Sequence, residues 1–179
     1  GIEYGTTEEL HFFTGNTADN VIVDDSNFAD LMTFLLGGGA DVLTLNNVGP
    51  TAETLIDTGA GTDTITINLA TFDTPDRLVD LDMGTEADML NVNGTNAGLT
   101  YEFDTAGVDD RVRQDPAGGT QQTIEYAGVE TFNLDTGIGD DSVLISEPVG
   151  NTADNTFTTF NITTTAGDVV DGNATDPDI

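Results

Sequence analysis

The stretch that decides the fold reads TGAGTDTITINL at positions 58–69. Its glycines suit a tight corner because they tolerate positive φ, and Asp63 can cap such a corner or bind a cation. The residues after Asp63 alternate between Thr or Asn and Ile or Leu, the two-residue period of a strand with one apolar face. Related glycine-rich units lead into strand-like segments at 37–45, 84–92 and 137–145. We therefore predict a repeat protein.

The aspartates of these corners recur at a nearly constant interval. The steps between them are 22, 22, 25 and 22 residues, and a longer step of 31 residues then leads to Asp141. One glycine corner per period of this size predicts an all-β fold, a parallel β-helix (β-solenoid) with coils of about 22–25 residues. Segment 28–36 is expected to be a strand because a corner follows it directly. The aspartates are Asp19, Asp41, Asp63, Asp88 and Asp110.

A second, longer repeat overlies the coils. Residues 2–23 match residues 124–145 without a gap, at a constant offset of 122. We interpret 1–123 as a first solenoid module and 124–179 as the start of a second, homologous module stacked continuously on the first. The matching residues include Ile2/Ile124, Glu3/Glu125, Tyr4/Tyr126, Glu8/Glu130, Thr14/Thr136, Gly15/Gly137, Asp19/Asp141 and Val21/Val143.

The alternation also predicts which side chains face the interior. Similar residues stacked in register should form aliphatic ladders inside and Thr or Asn ladders outside. The side chains expected inside are Ile22, Leu43, Leu45, Ile65, Ile67, Leu69, Leu90, Val92, Leu144 and Ile162. Those expected outside are Thr44, Thr64, Thr66, Asn91 and Asn93.

Composition excludes several classes of function. With 33 acidic residues against three arginines and no lysine, the net charge of −30 argues against nucleic acid as a partner. The chain has no cysteine for disulfide or redox chemistry, and no stretch long and apolar enough for membrane insertion. The excess of Asp (24) over Glu (9) indicates turns and hard-cation ligation more than plain solubility. Because the chain begins at Gly1 rather than Met, we expect an excised or mature piece of a longer secreted polypeptide.

The segment at 123–141 reads TIEYAGVETFNLDTGIGDD. It resembles a unit of very large bacterial extracellular surface proteins that are rich in β-solenoid repeats and are often adhesin-like and calcium-binding. The corners also resemble the repeats-in-toxin nonapeptide, glycine-glycine-x-glycine-x-aspartate-x-aliphatic-x. Residues 58–66 and 136–144 match that pattern from its second glycine onward, while 36–44 carry an extra glycine. This chain departs from the family in having only one such corner per coil, so the paired calcium cage of that family is not expected.

The resemblance implies calcium, and a looser site remains open, formed by the aspartate of one coil and backbone carbonyls of the next corner. The competing interpretation is that the corner aspartates only hydrogen-bond their own turns. Adjacent aspartates are the first places to look for an ion, because neighbouring carboxylates repel unless a cation joins them. The candidate metal ligands are Asp19, Asp41, Asp63, Asp88, Asp109, Asp110, Asp140 and Asp141.

These features favour a structural or interaction protein: a rod-like segment of an extracellular or cell-surface fibre, stalk or adhesin. Expected partners are neighbouring identical modules or chains, joined head to tail or laterally through cations, and cell-surface glycans. The alternative is a calcium-dependent polysaccharide-binding or polysaccharide-lyase β-helix, for which Arg111 and Arg113 would be the basic residues. Because −30 would repel a polyanion, local charge neutralisation is the better account of both arginines, and no enzyme activity is expected. Asn93, Asn161 and Asn173 lie in glycosylation sequons, which arise often by chance in a Thr-rich chain.

Overall fold

The computed structural model describes residues 9–24, 31–46, 53–69, 77–95, 98–106, 109–116, 122–145 and 158–172. Within these ranges the secondary structure is built from β-strands, which confirms the all-β prediction, including a strand within segment 28–36. The described strands are β1 (Glu9–Phe13), β2 (Asn20–Val23), β3 (Leu31–Leu35), β4 (Val42–Leu45), β5 (Glu53–Asp57), β6 (Thr64–Asn68), β7 (Arg77–Asp82), β8 (Met89–Thr95), β9 (Leu99–Ala106), β10 (Asp109–Pro116), β11 (Gln122–Ala127), β12 (Thr131–Gly137), β13 (Ser142–Ile145), β14 (Thr159–Thr163) and β15 (Val169–Gly172).

The strands form two sheets that stack as a β-solenoid of about five turns. The long sheet has the order β1-β3-β5-β7-β11-β10-β9-β13-β15, and the short sheet has the order β2-β4-β6-β8-β12-β14. A coil such as β3–β4 contributes one strand to each sheet and pairs in parallel with the coils on either side of it. The predicted parallel stacking is therefore confirmed.

The core lies between the two sheets and consists of columns of aliphatic side chains. Each step of the stack places like residues on one another, for example Leu43 on Ile65 and Ile65 on Leu90. The predicted outward residues lie on the opposite, partly exposed face of the short sheet. The predicted inward residues that are almost fully buried are Leu43, Leu45, Ile65, Ile67, Leu69, Leu90 and Val92.

Two of the predicted inward residues face the wrong way. Ile22 is 59% exposed and pairs with Thr44, while Val23 on the same strand is buried. Leu144 is only half-buried, and its neighbours Val143 and Ile145 fill the core instead. Both strands carry apolar residues at consecutive positions, so a two-residue period cannot choose between their faces. Ile162, predicted inside, is partly buried and packs against the core.

An antiparallel excursion interrupts the parallel stack. Strand β10 lies between β9 and β11 and runs against both of them, so β9 does not stack directly on β7. Asp110 is the second residue of β10, opposite Thr105 and Tyr126, so it lies in a strand and not at a corner. The 22-residue step from Asp88 to Asp110 is therefore not a coil, which corrects the fifth position of the predicted series.

Aromatic side chains fill the core beside this excursion. Phe132 of β12 packs against Tyr126 of β11 and Phe160 of β14, with ring centroids 5.1 and 5.6 Å apart. Phe103 of β9 meets both phenylalanines edge to face.

The predicted module boundary after residue 123 falls inside strand β11, which pairs with β7 and so links the residues on either side of that boundary.

Candidate functional site: carboxylate columns at the corners

The glycine corners bring the backbones of successive coils into direct contact. Gly59 has a φ of +82°, and its stacked neighbour Gly37 has a φ of +89°. A Cβ atom added to Gly59 would lie 1.9 Å from the carbonyl oxygen of Gly37. Ala60 donates its N–H to that same oxygen at 2.9 Å. The corners thus leave no room for a side chain at this point, and they place the following aspartates one above another.

The aspartates after these corners form what we call the first carboxylate column: Asp19, Asp41, Asp63, Asp88 and Glu130. Each carboxylate after that of Asp19 accepts the backbone N–H of the column residue in the preceding coil. The N–H groups of Asp19, Asp41 and Asp63 donate to the next aspartate at 2.7 Å in each case. Asp88 donates to Oε2 of Glu130 at 2.8 Å.

A second carboxylate column, Asp141 and Asp168, occupies the corners that lead from the short sheet to the long sheet. Asp141 accepts the N–H of Leu99 at 2.8 Å, and Asp168 accepts the N–H of Asp141 at 2.9 Å. The hypothesis that these aspartates bond only their own turns is therefore wrong for Asp141, as it is for Asp41, Asp63 and Asp88. Their carboxylates bond the neighbouring coil.

The remaining predicted ligands lie apart from these contacts. Asp140 is exposed beside Asp141, and the side chain of Asp110 is buried within β10. The backbone of Asp109 pairs with Ala106 in the hairpin, but its side chain lies outside the described part of the structure. The predicted site residues therefore divide into column members, Asp109 and Asp110 of the antiparallel excursion, and the exposed corner residue Asp140.

Burial makes the columns electrostatically unusual. Asp41, Asp63, Asp88 and Asp141 are each at most 2% exposed. Only one oxygen of each carboxylate is accounted for, because no described residue bonds the buried Oδ2 atom of any of the four. Like carboxylates follow one another at the spacing of stacked strands, about 4.8 Å. Such a column is compact but poorly solvated.

The pKa values follow from this environment. Burial raises the pKa of Asp41 and of Asp141, and carboxylates in the same column add to the shift. Burial also raises the pKa of Asp88 to about 6, against the lowering effect of its hydrogen bond from Asp63. At the open end of the second column, hydrogen bonds from the N–H groups of Asp141 and Thr165 lower the pKa of Asp168.

Within the described residues, no group of three or more Asp, Glu or His side chains is placed to hold a metal ion. Calcium takes six to eight oxygen ligands, whereas each step of a column supplies one carboxylate with one oxygen already bonded to a backbone N–H. What the arrangement does chemically is to hold adjacent coils together through charge-assisted hydrogen bonds. An ion at a column would have to use the Oδ2 atoms and backbone carbonyls.

Both arginines whose side chains are described neutralise carboxylates on the outer face of the excursion. Arg111 forms a two-pronged pair with Asp104, at 2.7 Å for each bond. Arg113 bonds Asp104 at 2.6 Å and Glu102 at 2.9 Å. Although burial alone would raise it, the pKa of Asp104 is lowered by the two guanidiniums. Charge neutralisation is thus what the structure shows for both arginines. Their partners lie on the flanking strands, Glu102 and Asp104 on β9 and Glu125 on β11, whose Oε1 is 3.8 Å from Nη1 of Arg111.

Two side-chain amide ladders run along the short sheet. The alternation of the sequence predicted ladders of Thr or Asn on its outer face. One amide ladder runs from Asp24 through Asn46 and Asn68 to Asn93, with bonds of 2.9, 2.6 and 2.6 Å. The other amide ladder joins Thr66, Asn91, Asn133 and Asn161, with bonds of 3.4, 2.8 and 2.8 Å. These ladders add a continuous polar seam to the backbone pairing.

Sequence reasoning missed Glu130 as a column member. Its signal is the Gly128-x-Glu130 sequence directly before β12, in which Gly128 has a φ of +69° and stacks on Gly84. That corner is two residues shorter than the others and carries Glu in place of Asp. A longer side chain spans the missing length, so a search for Gly and Asp alone passes over it.

No family model, curated protein or solved structure is significantly similar to this chain. Among the described residues there is no helix long and apolar enough to cross a membrane.

Proposed function

We propose that this chain is a structural segment of a secreted or surface-anchored repeat protein, a stackable piece of a fibre, stalk or adhesin. One observation carries the proposal: successive coils are joined by the same three devices, namely parallel pairing, a carboxylate column and an amide ladder. A stack held by nearest-neighbour contacts can be lengthened by whole coils without changing its core. That property suits a spacer or scaffold.

The charge distribution supports an extracellular setting with abundant cations. A net charge of −30 makes the segment repel itself at low ionic strength, and dissolved salt or bound calcium would offset that repulsion. Neighbouring modules, other chains of the same kind and cell-surface glycans are the proposed partners. Calcium bridging acidic corners is part of the proposal, with the buried Oδ2 atoms of the columns as its candidate ligands.

The pairing of Arg111 and Arg113 favours the structural proposal over the lyase alternative. A lyase needs a basic residue available to its substrate, whereas both arginines are held by Asp104 and its neighbours. The enzyme assay is direct, because a lyase would release unsaturated sugars from an acidic polysaccharide. We expect no release with or without calcium.

Coil insertion tests the structural proposal. Duplicating residues 42–63 adds one 22-residue period, so the variant should fold cooperatively and lengthen by about 4.8 Å per added coil. X-ray scattering measures the length, and thermal unfolding measures cooperativity. The matched control duplicates residues 42–52, half a period, which should break the stack. Equal disruption by both insertions would overturn the proposal.

Calcium is tested separately by the unfolding midpoint in chelator and in millimolar calcium at one fixed ionic strength, with magnesium as the control ion. A rise specific to calcium supports bound ions. An unchanged midpoint would remove calcium from the proposal and leave a salt-adapted acidic rod.

A further inference from the structure

The internal repeat extends to the contacts between coils. Coil β1–β2 meets β3–β4 as coil β12–β13 meets β14–β15. In both junctions a threonine hydroxyl, of Thr14 or Thr136, bonds a carbonyl of the next coil. In both, a valine that follows the column aspartate of the next coil donates its N–H back to the carbonyl oxygen of the earlier column aspartate. Val42 donates to Asp19 at 2.9 Å, and Val169 donates to Asp141 at 2.8 Å. The neighbours of coil β12–β13 therefore indicate what kind of neighbour coil β1–β2 can bind.

Coil β12–β13 is covered on both sides, whereas coil β1–β2 has only one neighbour among the described strands. Beneath β12–β13 lies β8–β9, whose Leu99 donates its N–H to Asp141 at 2.8 Å. Among the described residues, the corresponding carboxylate of Asp19 accepts a single long bond, of 3.4 Å from the N–H of Gly15 in its own turn. Asp19 is thus an acceptor at the end of its column, with strands β1 and β2 at the edges of their sheets.

The opposite end of the molecule presents the matching donors. Strands β14 and β15 are also edge strands. Within the described ranges, the N–H of Asp168 has one partner, the carbonyl oxygen of Thr165 at a long 3.4 Å. Because Val169 directs its N–H to Asp141, the alternation of a parallel strand points the N–H of Val170 to the open edge. Val169 and Val170 are 58% and 49% exposed.

We propose that coil β1–β2 of one molecule docks on coil β14–β15 of a second copy, in the register of the internal junctions. This inference rests on the proposed structural function and specifies its partner. In that register Asp19 caps the N–H of Asp168, and β2 pairs with β15. His11, the counterpart of Asn133 in the repeat, lies over Asn161 and extends the amide ladder. The contact is head to tail, so copies add without closing a ring of two.

Like charges oppose this contact at low salt. Glu9, Asp19 and Asp24 of one end would approach Asp168 and Asp171 of the other. The Debye length is about 10 Å at 0.1 M salt and about 3 Å at 1 M, so association should strengthen as salt rises.

The test measures the molar mass of the full chain by light scattering across concentration and salt. The variant Val170→Asp places a charge on the β15 edge, and Asp19→Ala removes the acceptor at the other end. At 1 M salt, where the repulsion between the two ends is screened, each should weaken association about tenfold or more. Ile138→Asp, the same kind of change on an exposed corner residue outside both ends, should not. Circular dichroism verifies that each variant is folded.

Mixing the variants gives the decisive result. Val170→Asp retains an intact β1–β2 end and Asp19→Ala retains an intact β14–β15 end, so the mixture should form heterodimers and stop there. A wild-type chain that stays monomeric at every salt concentration overturns the docking proposal, and so does a mixture that behaves as its separate components. Either result leaves the coil-insertion test of the proposed function unaffected, so the two failures are distinguishable.

Discussion

At the scale of single residues, Gly59 shows how closely the coils approach. It combines a left-handed φ with a backbone carbonyl 1.9 Å from where its Cβ would be. Any side chain there must push two coils apart. The corner glycines were predicted from sequence because this requirement recurs every coil and no other residue meets it.

Gly59→Ala should lower the free energy of unfolding by about 3 kcal/mol or more, because it adds strain at φ +82° and a clash with Gly37. Thermal unfolding should show a midpoint roughly 10 °C lower. Gly15→Ala is the matched control, since an added Cβ there meets nothing within 4 Å. If the two variants lose the same stability, the stacking argument is wrong.

The raised pKa of Asp88 makes the stability of the folded protein depend on pH, and the direction of that dependence can be derived. Its pKa is about 6 in the folded protein and 3.8 without that environment, so its contribution to stability is complete below about pH 4 and is lost as pH rises through 6. The carboxylates facing it are Asp63, Glu86 and Glu130. The folded state is therefore less stable at pH 7 than at pH 5 on account of this group.

Asp88→Asn should keep the hydrogen bond to the N–H of Asp63 and remove the charge. We expect a gain of about 2 kcal/mol at pH 7 and a flatter dependence between pH 4 and 7, measured by denaturant unfolding across pH. Asp57→Asn, which removes a charge from an exposed position, controls for the change in net charge. A gain at Asp57 as large as that at Asp88 would count against a column effect.

At the scale of elements, the parallel coils were predictable and the antiparallel excursion was not. A repeated glycine corner and a two-residue alternation indicate each parallel coil in the sequence. Neither feature identifies strand β10 in the sequence, and the 22-residue distance from Asp88 to Asp110 equals the period of one coil. The partners of Arg111 and Arg113 depend on the register between β9 and β10, which no local pattern specifies.

The amide ladder gives an element-scale prediction at Asn68, which donates to Asn46 and accepts from Asn93, both at 2.6 Å. Asn68→Ala breaks both bonds and should lower stability by about 1–2 kcal/mol, a midpoint shift of roughly 2–8 °C. Asn20→Ala, on the exposed face of edge strand β2, should change the midpoint little. Equal shifts would mean that the ladder adds nothing beyond strand propensity.

At the scale of the whole molecule, charge sets the conditions under which the stack holds. The chain carries 33 acidic residues against three arginines, and Arg111 and Arg113 are engaged locally. Composition alone predicted this repulsion. It could not predict that several carboxylates are buried at coil junctions, since that follows from the corner geometry.

The unfolding midpoint should therefore rise with sodium chloride and level off above about 0.2 M, where the Debye length falls below about 8 Å. Choline chloride at equal ionic strength should act alike if screening is the cause. A flat response would mean that the folded and unfolded states repel themselves equally.

The antiparallel excursion also bears on how the chain folds. Neighbouring coils before it are 22 or 25 residues apart, whereas Met89 pairs with Thr131 across 42 residues. A doubling of loop length adds only about 0.6 kcal/mol of closure entropy. Within that loop, β9 and β10 pair through a connection of two residues, 107 and 108, and are therefore close in the chain before β12 arrives. The early coils and the hairpin can thus nucleate separately. Joining them requires the nascent stack to wait for distant partners, because β7 pairs with β11, β8 with β12 and β9 with β13 only across the chain that contains or follows the excursion.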